Sequence, residues 1–278
     1  MYNLRYHLAS LVAVFLSLSI GLLLGTIVVE RGVLDGQRDT IIQSLQEEFR
    51  TLNADNTEMQ ATISAQEGLI DALLRTSVDG TLQGRTVLVV VSAGRADGLG
   101  STTDAISNAG GTPVTLLLSM PSFGVDDPEV LAALTETIGP VAPETMFDEI
   151  VARLAAEWSV PGEVRPLTEA LNESGVLRVD GDTGEAADAV VVMAVFNDVP
   201  DEGGIALAQV LAQGGATACG VESVTQSTGV AAAALEAGLS GVDHIGTPEG
   251  AFSMTWVLAG RANGYFGTGD GAQALWPE

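Results

Sequence analysis

LASLVAVFLSLSIGLLLGTIVV, the uncharged stretch from Leu8 to Val29, decides what kind of chain this is. At 1.5 Å of rise per residue, a helix of that length reaches roughly 33 Å, enough to cross a hydrocarbon core of roughly 30 Å with modest tilt. A lone segment satisfies its backbone amides in lipid only as a helix. A cleaved secretory signal is the rival reading, because Arg5 and the amino terminus supply a short positive flank. The apolar run is longer than the roughly 7 to 15 residues of a signal core, however, and Gly25-Thr-Ile-Val-Val29 offers no A-x-A-like cleavage site. Residues 1–30 are therefore expected to form a signal-anchor whose membrane helix ends at Leu8 and Val29. Ser17, Gly21 and Gly25 recur every four residues on one helix face, the small-xxx-small spacing that lets two backbones approach closely.

Arg5 precedes the helix while Arg31 and Arg38 follow it, so positive charge alone does not settle the orientation. The short amino-terminal flank cannot hold a domain and is the natural side to stay in the cytoplasm. The expectation is a single-pass protein of the cytoplasmic membrane, N-terminus in, with residues 31–278 outside.

The chain carries 36 acidic residues against 11 basic ones, a net charge of -25. That sign argues against nucleic acid as a partner, since phosphate binding needs the opposite charge. It also disfavours docking on anionic lipid surfaces. The acidic residues are scattered singly, the pattern of a solvated surface. Cys219 is the only cysteine, so no disulfide can form within the chain.

From Arg31 to about Val78 the sequence turns polar with regular apolar positions. Taking Ile42 as heptad position a places Leu45, Phe49, Leu52, Asn56, Met59, Ile63, Gln66, Ile70 and Leu73 in strict d and a alternation. Eight of these ten seam positions are apolar, which suits a coiled coil, and Asn56 at an a position is the residue type that fixes register in a parallel dimer. The partner is expected to be a second copy or another helix. The competing reading is a lone helix packed on the domain that follows. Asp79-Gly80 closes the segment as a turn pair, giving a coiled coil over 31–80 and a further domain over 81–278.

That last region alternates apolar runs with amphipathic stretches. Thr86 to Val91, Val114 to Leu118, Asp188 to Ala194, Thr217 to Val221 and Val242 to Ile245 read as strands. Helices are expected through Asp104 to Asn108, across Pro128 to Trp158 with a break at Gly139 to Pro143, and over Ile205–Ala212, Ala231–Ala237 and Pro248–Ala259. The fold class is α/β: a membrane helix, a long coiled-coil helix, then a layered domain on a mostly parallel sheet.

Such a sheet invites a search for a phosphate site after its first strand. The loop there, Ser92 to Ser101, holds Gly94, Gly98 and Gly100 but matches neither G-x-G-x-x-G nor the P-loop, so a glycine-rich turn is expected. Gly267-Thr-Gly-Asp-Gly271 is a denser glycine run with no strand and helix to frame it, and reads as an ordered or mobile tail. His244 is the only histidine beyond the membrane helix, and there is no G-x-S-x-G, H-E-x-x-H or C-x-x-C, so neither an enzyme nor a zinc site is expected. Asp198, Asp201 and Glu202 precede a helix, where capping accounts for them.

The order of these parts, with Ala13-Val-Phe-Leu-Ser-Leu-Ser-Ile-Gly-Leu-Leu-Leu-Gly25 and Gly264-Tyr-Phe-Gly-Thr-Gly-Asp-Gly271, resembles the actinobacterial MctB family of copper transport proteins over nearly the whole chain. The resemblance implies a membrane-associated envelope protein of copper efflux or homeostasis, and kinship with corynebacterial members of a coiled-coil envelope complex. It transfers no ligand residues, so copper is implied by resemblance alone and no cofactor or metal site is expected. Two functions stay open: a transport-linked protein of copper homeostasis, and a coiled-coil envelope scaffold or regulator without transport activity.

Overall fold

Valines drive the centre of the fold. Strand β1 (Thr86–Ser92) is buried along its whole length, as a strand must be when both faces of its sheet are covered. The computed structural model describes residues 4–30, 33–94, 97–162, 164–225 and 228–277. Contacts divide the chain into two units, the first ending at Glu67 and the second beginning at Gly68.

The first unit holds helix α1 (Leu4–Glu30) and most of helix α2 (Val33–Val78). Leu4 to Ile27 is long and apolar enough to cross a membrane. Two of its hydroxyls bond within the helix, Ser17 donating to the Val14 carbonyl at 2.9 Å and Thr26 to that of Leu23 at 3.0 Å, a pairing compatible with hydrocarbon surroundings. Helix α2 runs 46 residues without a proline, and Thr51, Thr57 and Thr62 each donate back to the carbonyl four residues earlier.

The second unit is an α/β/α sandwich. After β1 come α3 (Leu99–Asn108), β2 (Thr112–Leu118), α4 (Pro128–Ile138), α5 (Met146–Trp158), α6 (Pro166–Glu173) and β3 (Leu177–Asp180). Strand β4 (Ala189–Val192) is followed by a small hairpin of β5 (Val195–Phe196) and β6 (Val199–Pro200), then by α7 (Glu202–Gln213) and β7 (Thr217–Ser223). The chain closes with α8 (Val230–Glu236), β8 (Ser240–Ile245), α9 (Pro248–Leu258) and β9 (Tyr265–Phe266). The sheet order is β3-β2-β1-β4-β7-β8-β9, parallel throughout except for β3, which runs antiparallel to β2. This is the doubly wound plan, with its topological switch between β1 and β4.

Side chains alternate across each strand, so the sheet builds two cores. Leu88 and Val90 face a core closed by α4, α5, α6 and α7. Val87, Val89 and Val91 face the other, closed by α3, α9 and the end of α2. There Val78 and Leu82 are buried and Leu74 packs against them. The Asp79-Gly80 turn does end α2, yet the last turns of that helix already belong to the α/β unit.

The expected strands and helices are present, and β3, the β5–β6 hairpin, α6 and β9 are additional. Strands of two to four residues are too short to carry a periodic signal.

Helix α8 lies directly on bare strand backbone. A Cβ at Gly220 would sit 2.6 Å from the Ala234 Cβ, and one at Gly241 2.5 Å from the Ala231 carbonyl oxygen. Either residue changed to Ala should cost about 1–3 kcal/mol through overpacking, read as a lower urea midpoint. An unchanged midpoint would contradict this packing.

Candidate functional site

The carboxyl ends of β1 and β4 are where a doubly wound sheet ordinarily receives a ligand. Near that edge, carboxylates of the chain hold several helix N-termini, whereas α3, which follows β1, has no side-chain cap. Glu222, buried at the end of β7, accepts the amides of Thr228 at 2.8 Å and Ala231 at 2.7 Å at the start of α8. Asp201, also buried, caps α7 by accepting the Gly204 amide at 2.8 Å and reaches across to the Ser122 amide at 2.8 Å. Burial is the main influence on its carboxyl and raises the pKa, against these amides, which lower it. Asp127 caps α4, and Glu157 accepts from Leu167, Thr168 and the Thr168 hydroxyl at the start of α6. A phosphate needs those same free amides and the positive end of the helix dipole; at these four helices a carboxylate of the chain already holds them.

The β5–β6 hairpin sits beside this edge. Asn197 and Asp198 both take positive φ, 51° and 63°, as a two-residue type I′ turn demands. Asp198 is therefore a turn residue, which corrects its reading as part of the cap; Asp201 is the cap and Glu202 stands in the first turn of α7. The cavity left at the switch, lined by Asp97, Met193, Val195, Val221, Glu222, Ser223 and Thr228, measures about 20 Å³, room for one water molecule. Gly94 and Gly98 take positive φ in the β1–α3 loop, consistent with a turn; Arg95 and Ala96 of that loop lie outside the described residues.

The glycine run near the C-terminus is ordered, and Asp243 is the reason. Its carboxylate accepts the Tyr265 hydroxyl at 2.8 Å, the Thr268 amide at 2.9 Å and the Gly269 amide at 2.6 Å. Burial and this carboxylate together push the Tyr265 hydroxyl pKa up. A Cβ at Gly267 or Gly269 would collide with the same carboxylate. The glycines are thus required by close approach to a side chain, and the segment beyond them covers β9, Gly267 and Gln273 closing backbone bonds to Ala274 and Tyr265.

Met193, Cys219 and Met254 belong to the core on the α3–α9 side of the sheet. Cys219 is fully buried, and burial pushes its thiol up to about 12, leaving it protonated and unreactive. The Met193 sulfur accepts the Thr102 hydroxyl at 3.4 Å. His244 is buried with Nδ1 3.5 Å from Asp243 Oδ1, and burial lowers its pKa. Among the described residues no group of three or more His, Cys, Asp and Glu side chains could hold a metal ion.

The seam residues share one face of α2 and are at its surface. Ile42, Leu45, Phe49, Leu52, Met59, Ile63, Ile70 and Leu73 are between 40% and 67% exposed. Within the α/β unit, Asp71, Leu74 and Val78 line a groove of about 310 Å³ shared with α3 and α9, whereas Ile70 and Leu73, one position earlier on each turn, stay open at 40% and 59%. On α1, Ser17, Gly21 and Gly25 form the floor of a shallow groove with Val14, Leu18, Leu22 and Thr26. Patterning anticipated Asp201 as a helix cap but missed its reach to Ser122 and the internal roles of Glu222 and Asp243; the Gly-Thr-Gly spacing was the one local trace of the last.

The sequence profile of one protein family, described as "Copper transport outer membrane protein, MctB", matches residues 1–277. No curated protein and no solved structure matches the chain.

Asp243→Asn keeps the shape but turns one accepting oxygen into a donor-only NH2, so at least one of the three hydrogen bonds is lost, and it should cost about 1–3 kcal/mol. The check is the melting temperature together with amide exchange at residues 265–274. Unchanged exchange there would mean that the tail is held by something else.

Proposed function

Because the chain belongs to the MctB family, we propose that it serves copper handling in the cell envelope as a membrane-anchored scaffold, two copies of which pair through α2. The observation that carries this reading is the row of eight apolar a and d side chains standing at the surface of one unbroken helix. Pairing removes them from water, and at roughly 25 cal/mol per Å² of apolar surface each central Leu contributes on the order of 1–3 kcal/mol.

Parallel pairing has two supports. Copies anchored by the same helix in one membrane enter it side by side with the same polarity. The flanking residues agree: in a parallel pair the g positions Glu48 and Asp55 meet the e positions Asn53 and Gln60 of the other chain, whereas antiparallel pairing sets the acidic g positions along one flank. Asn56 then faces its own counterpart and fixes register at some cost in strength.

The anchor sits in the cytoplasmic membrane with the N-terminus inside and the α/β domain in the envelope space, since a single apolar helix is the signal-anchor form of insertion. One helix cannot enclose a pore, so the contribution to copper efflux is made by holding partners in place. We assign the α/β domain no catalytic role; Asp127, Glu157, Asp201, Glu222 and Asp243 serve helix N-termini and the tail.

Cysteine pairing in membranes tests the seam on the full chain, because buried Cys219 does not compete. Mild oxidation should link Leu52→Cys copies across the interface, d to d, and leave Ala54→Cys copies on the opposite face unlinked. Equal linking of both, or linking of neither, would remove the paired scaffold. In cells lacking the protein, Leu52→Asp should fail to restore copper tolerance although the α/β domain folds. Full restoration would separate pairing from the copper role.

A further inference from the structure

The clasp that holds the C-terminal tail has a histidine beside it. Asp243 and His244 are consecutive on β8, and their side chains are only 8% and 4% exposed. The donors on the Asp243 carboxylate come from β9 and the segment after it: the Thr268 amide bonds Oδ1, while the Tyr265 hydroxyl and the Gly269 amide bond Oδ2. His244 Nδ1 stands 3.5 Å from Oδ1, beyond a firm hydrogen bond, and neither buried ring nitrogen has a hydrogen-bond partner. A neutral imidazole carries one N–H, whereas the charged ring carries two and needs an acceptor for each. The oxygen beside Nδ1 is the one that the Thr268 amide already uses. Two carboxylates act on the ring, Asp243 of its own strand and Glu249 of α9, and both favour its charged form; burial outweighs them and lowers the pKa from its ordinary value of 6.5. Glu222 of β7 and Asp270 of the tail act on Tyr265 at the same clasp.

We propose that His244 makes the tail clasp acid-sensitive: on gaining a proton, Nδ1 draws Asp243 Oδ1 away from the Thr268 amide, and residues 267–274 detach from β9. A ring whose pKa is lower in the folded than in the unfolded state contributes stability above the ordinary imidazole range and loses it as pH falls. Opening breaks the bridge from Phe266 to Ala274 and the backbone bonds of Gly267 and Gln273, and it bares the end strand of the sheet. The latch operates whether or not α2 is paired, so its test is separate from that of the scaffold. Hydrogen exchange on the full chain in detergent micelles, expressed as protection factors so that the intrinsic pH dependence of exchange cancels, reads it directly. Between about pH 7.5 and about pH 5, protection at residues 267–274 should fall roughly fivefold to tenfold, while Val87 to Val91 of β1 keep theirs. His244→Gln, which stays neutral, should abolish that change. In His7→Gln protein, whose one remaining histidine is His244, the ring protons observed by NMR should titrate below 6.5 and with the same midpoint as the loss of tail protection. Tail protection that does not change with pH, a change that persists in His244→Gln, or a tail midpoint that departs from that of the ring overturns the latch.

Discussion

One helix has to satisfy two apolar surfaces at once. Leu74 and Val78 turn into the α/β core, while Ile70 and Leu73 of the same turns remain at the surface. Successive residues on a helix are separated by about 100°, so both faces can coexist without competing for the same side chains. Because the domain takes only the 71–74–78 side, the a and d row reaches Leu73 with its apolar side chains still available. A helix whose seam were used up against its own domain would have nothing left to offer another chain. Helix α2, the domain and the proposed scaffold all depend on this division of faces.

The acidic composition looks at first like a purely external property, and the fold qualifies that. Asp127, Glu157, Asp201 and Glu222 each occupy a helix N-terminus, and Asp243 organises the C-terminal tail. Carboxylates so placed interact with backbone amides and with the helix dipole, stabilising the fold. They also occupy the amides that an anionic ligand would use. The domain keeps the doubly wound plan, and among the described residues the pocket beside Met193 and Glu222 measures about 20 Å³.

Much of this architecture is legible in the sequence because its signals are long. The apolar helix α1 rests on an uncharged run, the long helix α2 on nearly five heptads, and the central strands on Val87 to Val91 and Val190 to Val192. What escaped is short or distant. Strands β5, β6 and β9 have two residues each, fewer than a period-two pattern needs. The tail clasp joins Asp243 to amides 25 and 26 residues away, and Asp201 meets Ser122 across 79 residues. A local pattern has no access to such pairs. Gly267 and Gly269, which the sequence presents only as a glycine-rich tail, are needed for the close approach of the Asp243 carboxylate.

Pairing through the exposed seam is the claim on which the functional account stands, and the mass of the particle formed by the full chain addresses it most directly. Sedimentation equilibrium in density-matched detergent should return the mass of two chains for the wild type and of one chain for Leu52→Asp, since an ionised side chain at a central d position cannot enter the seam without a large desolvation cost. A wild-type particle of one chain across micromolar concentrations would contradict the account.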